Sequence, residues 1–81
     1  MFHVYVLESL KDGRTYVGHT ADLHRRLSEH NTGQTTATRS KGPYRLVYVE
    51  SFQTRRAAYS REMFLKSGAG RDLLMNRLLK A

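Results

Sequence analysis

At 81 residues the chain is expected to form one domain (1–81), burying only about 60–65% of its unfolded surface; 40% hydrophobic and 26% charged residues exclude the disordered class. No apolar run nears the ~20 residues of a membrane span and no signal-peptide layout opens the chain, so a cytoplasmic protein without membrane contact is expected. The lack of cysteine excludes disulfides and thiolate chemistry, and fourteen Lys and Arg against seven Asp and Glu give a charge of +7, pointing to an anionic partner, nucleic acid before any other.

Phe2 to Leu7 is apolar at nearly every position and rich in β-branched and aromatic residues, which predicts a central strand covered on both faces. Asp12-Gly13 suits a two-residue hairpin turn, with Arg14 to Gly18 returning as the partner strand. Such a turn opposes odd positions to even ones, and opposed residues share a face. Tyr5 and Leu7 are therefore expected on the same side of the sheet as Tyr16 and Gly18.

Thr20 is the expected N-cap of a following helix, with Asp22 in its first turn and Leu23 and Leu27 forming an apolar stripe. The helix should end between Asn31 and Gly33. At 100° per residue His30 projects between the two leucines, and Arg26 borders the same stripe. Taken alone, this pattern reads first as a core histidine with one hydrogen bond and a snorkelling arginine, and only second as a site. Gln34 to Pro43 has no hydrophobic periodicity and carries Arg39, Lys41 and four hydroxyl residues, which predicts a basic loop, suited to a phosphate backbone or to a plain connection.

Tyr44 to Phe52 reads as a third strand. Thr54 should cap a helix from Arg55 to Lys66 with Ala57, Ala58, Phe64 and Leu65 on one face and Glu62 at its edge, where an i,i+4 pair with Lys66 is the simplest use of that glutamate. Ser67 to Gly70 is expected to break the helix, and Arg71 to Leu79 to resume it. The order β-β-α-β-α-α predicts a small α+β fold, a three-stranded, mainly antiparallel sheet flanked by helices, with part of the tyrosine-bearing surface left as a shallow cleft.

Zinc-type spacings, glycine-rich phosphate loops and a serine elbow are absent from the sequence. Nucleotide cofactors are therefore not expected. The residues that remain suit phosphodiester hydrolysis, which needs a proton acceptor, a cation for the charge gained by the phosphate and help for the leaving oxygen. Tyr5, Tyr16, Arg26, His30 and Glu62 match those needs. A phenol of ordinary pKa near 10 is a poor base at neutrality, so either tyrosine needs a neighbouring cation or only orients the water, and His19 or His30 is the better-matched acceptor.

Val4-Tyr5, ten intervening residues, Tyr16-Val17-Gly18, and then Ala21 to Gly33 closely resemble the GIY-YIG nuclease domain, in particular its small stand-alone bacterial members. The likeness continues through Arg39 to Pro43, Leu46-Val47-Tyr48 and Ser60 to Lys66. It implies a metal-dependent endonuclease acting on DNA, with RNA as the second candidate substrate and a monomer or weak dimer as the working state. By resemblance Tyr5 and Tyr16 are the motif tyrosines, Arg26 the helix arginine that stabilises the phosphate, and Glu62 the carboxylate that holds Mg²⁺ or Mn²⁺. His19 and His30 are secondary catalytic candidates. Arg39, Lys41 and Arg45 are the candidates for backbone contacts. His3-Val4-Tyr5 departs from the motif by placing histidine where glycine is usual. The alternative is a binding module of the same fold that does not cleave.

Overall fold

The computed structural model describes residues 1–33 and 42–79. The elements follow the expected order: β1 (Phe2–Ser9), β2 (Thr15–Thr20), α1 (Leu23–Asn31), β3 (Tyr44–Phe52), α2 (Arg55–Lys66) and α3 (Gly68–Leu73). A π-helical stretch, Leu74–Leu78, prolongs α3, with Leu79 N–H donating to Leu74 O at 2.9 Å. The sheet is antiparallel throughout, in the order β2-β1-β3.

β1 is central because it is apolar on both faces. Val4, Tyr5, Val6 and Leu7 are each at most 1% exposed. On one face Val4, Val6 and Val17 pack against Ala58, Leu65 and Leu74 of the C-terminal helices. On the other, Tyr5 and Leu7 join Tyr44, Tyr16 and the α1 leucines Leu23 and Leu27. Each fully buried aliphatic or aromatic side chain contributes about 1.5–3 kcal/mol, so these two small clusters hold the fold without covalent help.

The hairpin differs from the expected two-residue turn. Ser9 N–H donates to Arg14 O at 2.8 Å and Gly13 N–H to Ser9 O at 2.9 Å, which leaves Leu10 to Gly13 as a four-residue loop. Gly13 sits at φ +76°, a conformation that glycine adopts without steric cost. Ser9 Oγ accepts from the Lys11 and Asp12 amides and stiffens the loop. Two and four are both even, so the opposed faces are unchanged: Tyr5 faces Gly18 and Leu7 faces Tyr16. Between β1 and β3 the register slips by one residue after Val6, a bulge that places one extra residue of β3 between Tyr48 and Leu46.

Three local expectations are corrected. The cap of α1 is Asp22 rather than Thr20: its carboxylate accepts from Arg25 N–H at 3.1 Å, while Thr20 Oγ1 accepts from Asp22 N–H just ahead of the helix. Phe64 is 39% exposed beneath the Arg61 guanidinium, and Glu62 takes the inward position on α2 beside Ala58 and Leu65. Gly68 and Gly70 open α3 rather than separating two helices, because Ser67 alone makes the break and its hydroxyl caps Gly70 N–H.

Gly70 is also where α3 presses on the end of α2. A Cβ built there lies 1.8 Å from Phe64 O, a backbone atom that cannot rotate away. Gly70→Ala is therefore expected to cost about 1–3 kcal/mol, read as a lowered Tm by calorimetry. An unchanged Tm would contradict the close approach of the two helices.

Candidate active site

The site begins with a missing side chain on β2. A Cβ at Gly18 would stand 2.4 Å from the Tyr5 hydroxyl oxygen, so Tyr5 reaches across β2 only because that position is glycine. The hydroxyl then meets α1, where it lies 2.9 Å from His30 Nε2. Tyr16 packs tilted against the same imidazole, with ring centres 4.9 Å apart and planes at 59°, and Tyr44 flanks it at 6.3 Å. His30 is 1% exposed and is the one fully buried residue of α1. Asn31 fixes Tyr44 by clasping its backbone, accepting from the amide at 2.7 Å and donating to the carbonyl at 3.2 Å.

Arg26, one turn before His30, lies against the Tyr5 hydroxyl. Its Nη1 donates to Glu29 Oε1 at 3.0 Å, and Arg25 donates to the other oxygen of that carboxylate at 3.3 Å. Burial raises the Tyr5 pKa above its ordinary value despite the bond to Arg26, so the phenol keeps its proton. Burial, and then the charge of Arg26, lowers that of His30, so the imidazole is neutral at neutral pH. The protonated phenol therefore donates to Nε2 while its oxygen faces the guanidinium.

Glu62 and His19 meet at the same edge of the sheet from the opposite face. His19 Nδ1 donates to Glu62 Oε1 at 2.5 Å and Lys66 Nζ to Oε2 at 2.7 Å. Burial would raise the Glu62 pKa, yet the hydrogen bonds and charges of Lys66 and His19 outweigh it and leave the carboxylate below its usual range. The i,i+4 pair expected for Glu62 is thus present, but on a buried side chain rather than at the solvent face. Lys66 also lies 5.9 Å from the Tyr16 ring centre, joining the carboxylate to the tyrosines.

Tyr5, Tyr16, His19, Arg26, His30 and Glu62 thus gather around the outer strand β2. Beside them an open groove is lined by His19, Thr20, Asp22, Arg25, Arg26, Glu29 and Arg55. Arg45 stands on the opposite edge strand, β3, where it pairs with Glu8 at 2.7 Å. Arg39 and Lys41 lie outside the described residues. Sequence reasoning missed Arg55 as a groove residue, although seven positions before Glu62 is two helical turns and hence the same face. It also missed the steric role of Gly18, because the expected two-residue turn opposes Tyr5 to Thr20 and only the observed four-residue loop brings Gly18 opposite Tyr5.

The GIY-YIG catalytic domain family matches residues 1–74. A UPF0213 protein of Haloquadratum walsbyi is 46% identical over 66 residues, which cover 80% of this chain and 73% of that protein. A UPF0213 protein of Halobacterium salinarum is 43% identical over 67 residues, covering 82% and 86%. The solution NMR structure of a UPF0213 protein from Bacillus halodurans superposes with a TM-score of 0.57 at 36% identity, covering 94% of this chain and 84% of that one.

The depressed His30 pKa has a definite sign in stability. Below pH 6.5 the unfolded chain takes up a proton that the native imidazole resists, so stability falls as pH drops through the unfolded value toward the folded one. An NMR titration of the imidazole nitrogens is expected to place His30 below 6.5, with Nε2 unprotonated at pH 7. Gly18→Ala, which pushes the Tyr5 hydroxyl off Nε2, is expected to alter that ring's signals. A His30 midpoint at or above 6.5 would contradict the buried phenol–imidazole pair.

Proposed function

This chain belongs to the GIY-YIG family of nuclease domains, and from that premise we propose that it is an endonuclease hydrolysing DNA phosphodiesters with one divalent cation, Mg²⁺ or Mn²⁺, seated on Glu62. The supporting observation is an anionic carboxylate held by His19 and Lys66 beside β2, the strand on which Tyr16 stands and over whose Gly18 the Tyr5 hydroxyl reaches, with Arg26 of α1 against that hydroxyl. An acid among so many cations has little use in a surface that only binds phosphates.

The residues fit a hard cation. Among the described residues no three metal-ligating side chains cluster together, so the ion would take one protein carboxylate and complete its shell with water and phosphate oxygens, as Mg²⁺ commonly does. Lys66 is 43% exposed and is the partner able to turn away and free Oε2, whereas His19 is mostly covered. When bound, such an ion withdraws charge from the phosphate and acidifies water.

The chain's own side chains divide the remaining work. Tyr16 is half-buried beside Lys66; its oxygen accepts from the attacking water, orients it toward phosphorus and relays its proton to solvent, while the P–O bond to the leaving oxygen breaks and that oxygen takes a proton from solvent. Arg26 neutralises the charge that the phosphate gains in the transition state. Tyr5, 1% exposed, is a positioning residue whose hydroxyl registers Arg26 against His30, and Glu29 steadies the far side of the same guanidinium. His19 holds Glu62 in one orientation. Backbone contacts dominate such a surface, so sequence discrimination is weak; single-stranded or structured DNA in repair or recombination is the substrate setting we favour.

Labelled single-stranded, duplex, forked and nicked DNA, with RNA alongside, incubated with Mg²⁺, Mn²⁺ or chelator, tests this reading. Cleavage is expected only with metal and is lost in Glu62→Ala. Arg26→Ala is expected to lower the single-turnover rate about 10²–10³-fold, and Tyr16→Phe to lower it without weakening affinity. Cutting that survives chelator or Glu62→Ala would refute the metal seat, and binding across the panel without any cutting would favour a recognition module.

A further inference from the structure

The outer side of β2 carries a second cleft, continuous with the site but facing away from α1. Its near part is lined by Tyr16, Lys66 and Arg71, and its far part by Arg14, Arg71 and Met75. Thr15, Arg71 and Leu74 line both parts, which makes them one groove between β2 and α3 with its π-helical extension. Lys66 and Tyr16 belong at once to this groove and to the candidate active site.

The charges in the groove are available. The Arg14 side chain is 79% exposed and its guanidinium approaches Asp12 only to 4.0 Å, although its backbone N–H donates to that carboxylate at 3.0 Å, while Arg71 is exposed and forms no ion pair among the described residues. Arg45, by contrast, is tied to Glu8 by two nitrogens. A phosphodiester placed at Tyr16 and Glu62 continues into a nucleotide on either side, and the strand must leave the site both ways. Toward α1 it meets the groove of Arg25 and Arg55; toward α3 it meets Lys66, then Arg71, then Arg14. Arginine forks suit successive phosphate oxygens, and the apolar floor at Leu74 suits a sugar face.

We propose that the β2–α3 groove is a binding site for the phosphate backbone of one nucleic-acid strand next to the bond that is cut, with Arg71 and Arg14 each holding a phosphate. The inference deepens the nuclease reading and rests on it. It assigns the strand's path to the outer edge of β2 and gives binding roles to two arginines distant in sequence from Arg39 and Lys41.

Fluorescence anisotropy in EDTA, where no cutting occurs, tests it with a labelled 12-mer as single-stranded DNA, as RNA of the same sequence and as duplex DNA. Wild type is compared with Arg14→Ala, Arg71→Ala and, as a control outside the groove, Arg45→Ala, after matching their Tm values. Each groove variant is expected to raise Kd about five- to tenfold and to reduce the salt slope of log K by about 0.7 on a single strand, with Arg45→Ala near wild type. The DNA and RNA arms show which backbone is preferred. Wild-type binding with both groove variants unchanged in Kd and salt slope would overturn the groove while leaving the nuclease reading intact. Absence of binding by wild type to every probe would overturn both.

Discussion

The site depends on a phenol passing over a strand at the one position without a side chain. Tyr5 is a core residue, packed with Leu7 and Tyr44 on the α1 face of the sheet, yet its oxygen lies beyond Gly18 and against His30. Hydrophobic packing therefore fixes the ring while the hydroxyl belongs to a polar cluster. That arrangement couples stability to chemistry, because the burial that holds the phenol protonated and the imidazole neutral also aligns Arg26 beside them. A small chain with few buried side chains has no separate scaffold on which to mount a site, and here the core and the site share one tyrosine.

Electrostatics on the other face of the sheet solves a different problem. A buried carboxylate loses hydration, and Glu62 offsets the loss by taking hydrogen bonds from a ring nitrogen and an ammonium group. The two partners differ in mobility: His19 is packed edge-on against Tyr59, and Lys66 is largely at the surface. An ammonium group standing where a divalent cation would bind keeps the carboxylate ionised and ready, and its departure places a positive charge at the entrance of the β2–α3 groove. One lysine would thus link the proposed metal seat to the proposed path of the strand.

Much of this was legible in the sequence because it followed from periodicity. β3 and α2 begin and end where their patterns and the Thr54 cap place them, and the sheet faces survived an error in turn length because parity, not length, decides them. Local competition between neighbours was harder to read. Thr20 and Asp22 are both good caps, and the carboxylate took the helix while the hydroxyl took the turn before it. Two glycines near a serine read as a break, although Gly70 is there to let helices touch. The pairing of Glu62 with His19 joins residues 43 positions apart, and no local pattern announces it. The resemblance to a known family assembled Tyr5, Tyr16, Arg26 and Glu62, whereas the contact between Gly18 and Tyr5 that brings the tyrosine to its partners is a matter of three-dimensional register.

The central claim is that one carboxylate, at the edge of β2, seats the cation. Adding Mn²⁺ to ¹⁵N-labelled protein without nucleic acid tests it directly, since the paramagnetic ion broadens nearby amide signals. The account predicts that the amides of His19, Glu62 and Lys66 broaden first and that Glu62→Ala, while still folded, loses the effect. Broadening centred instead on Glu29 or Glu50, and unaltered by that substitution, would contradict it.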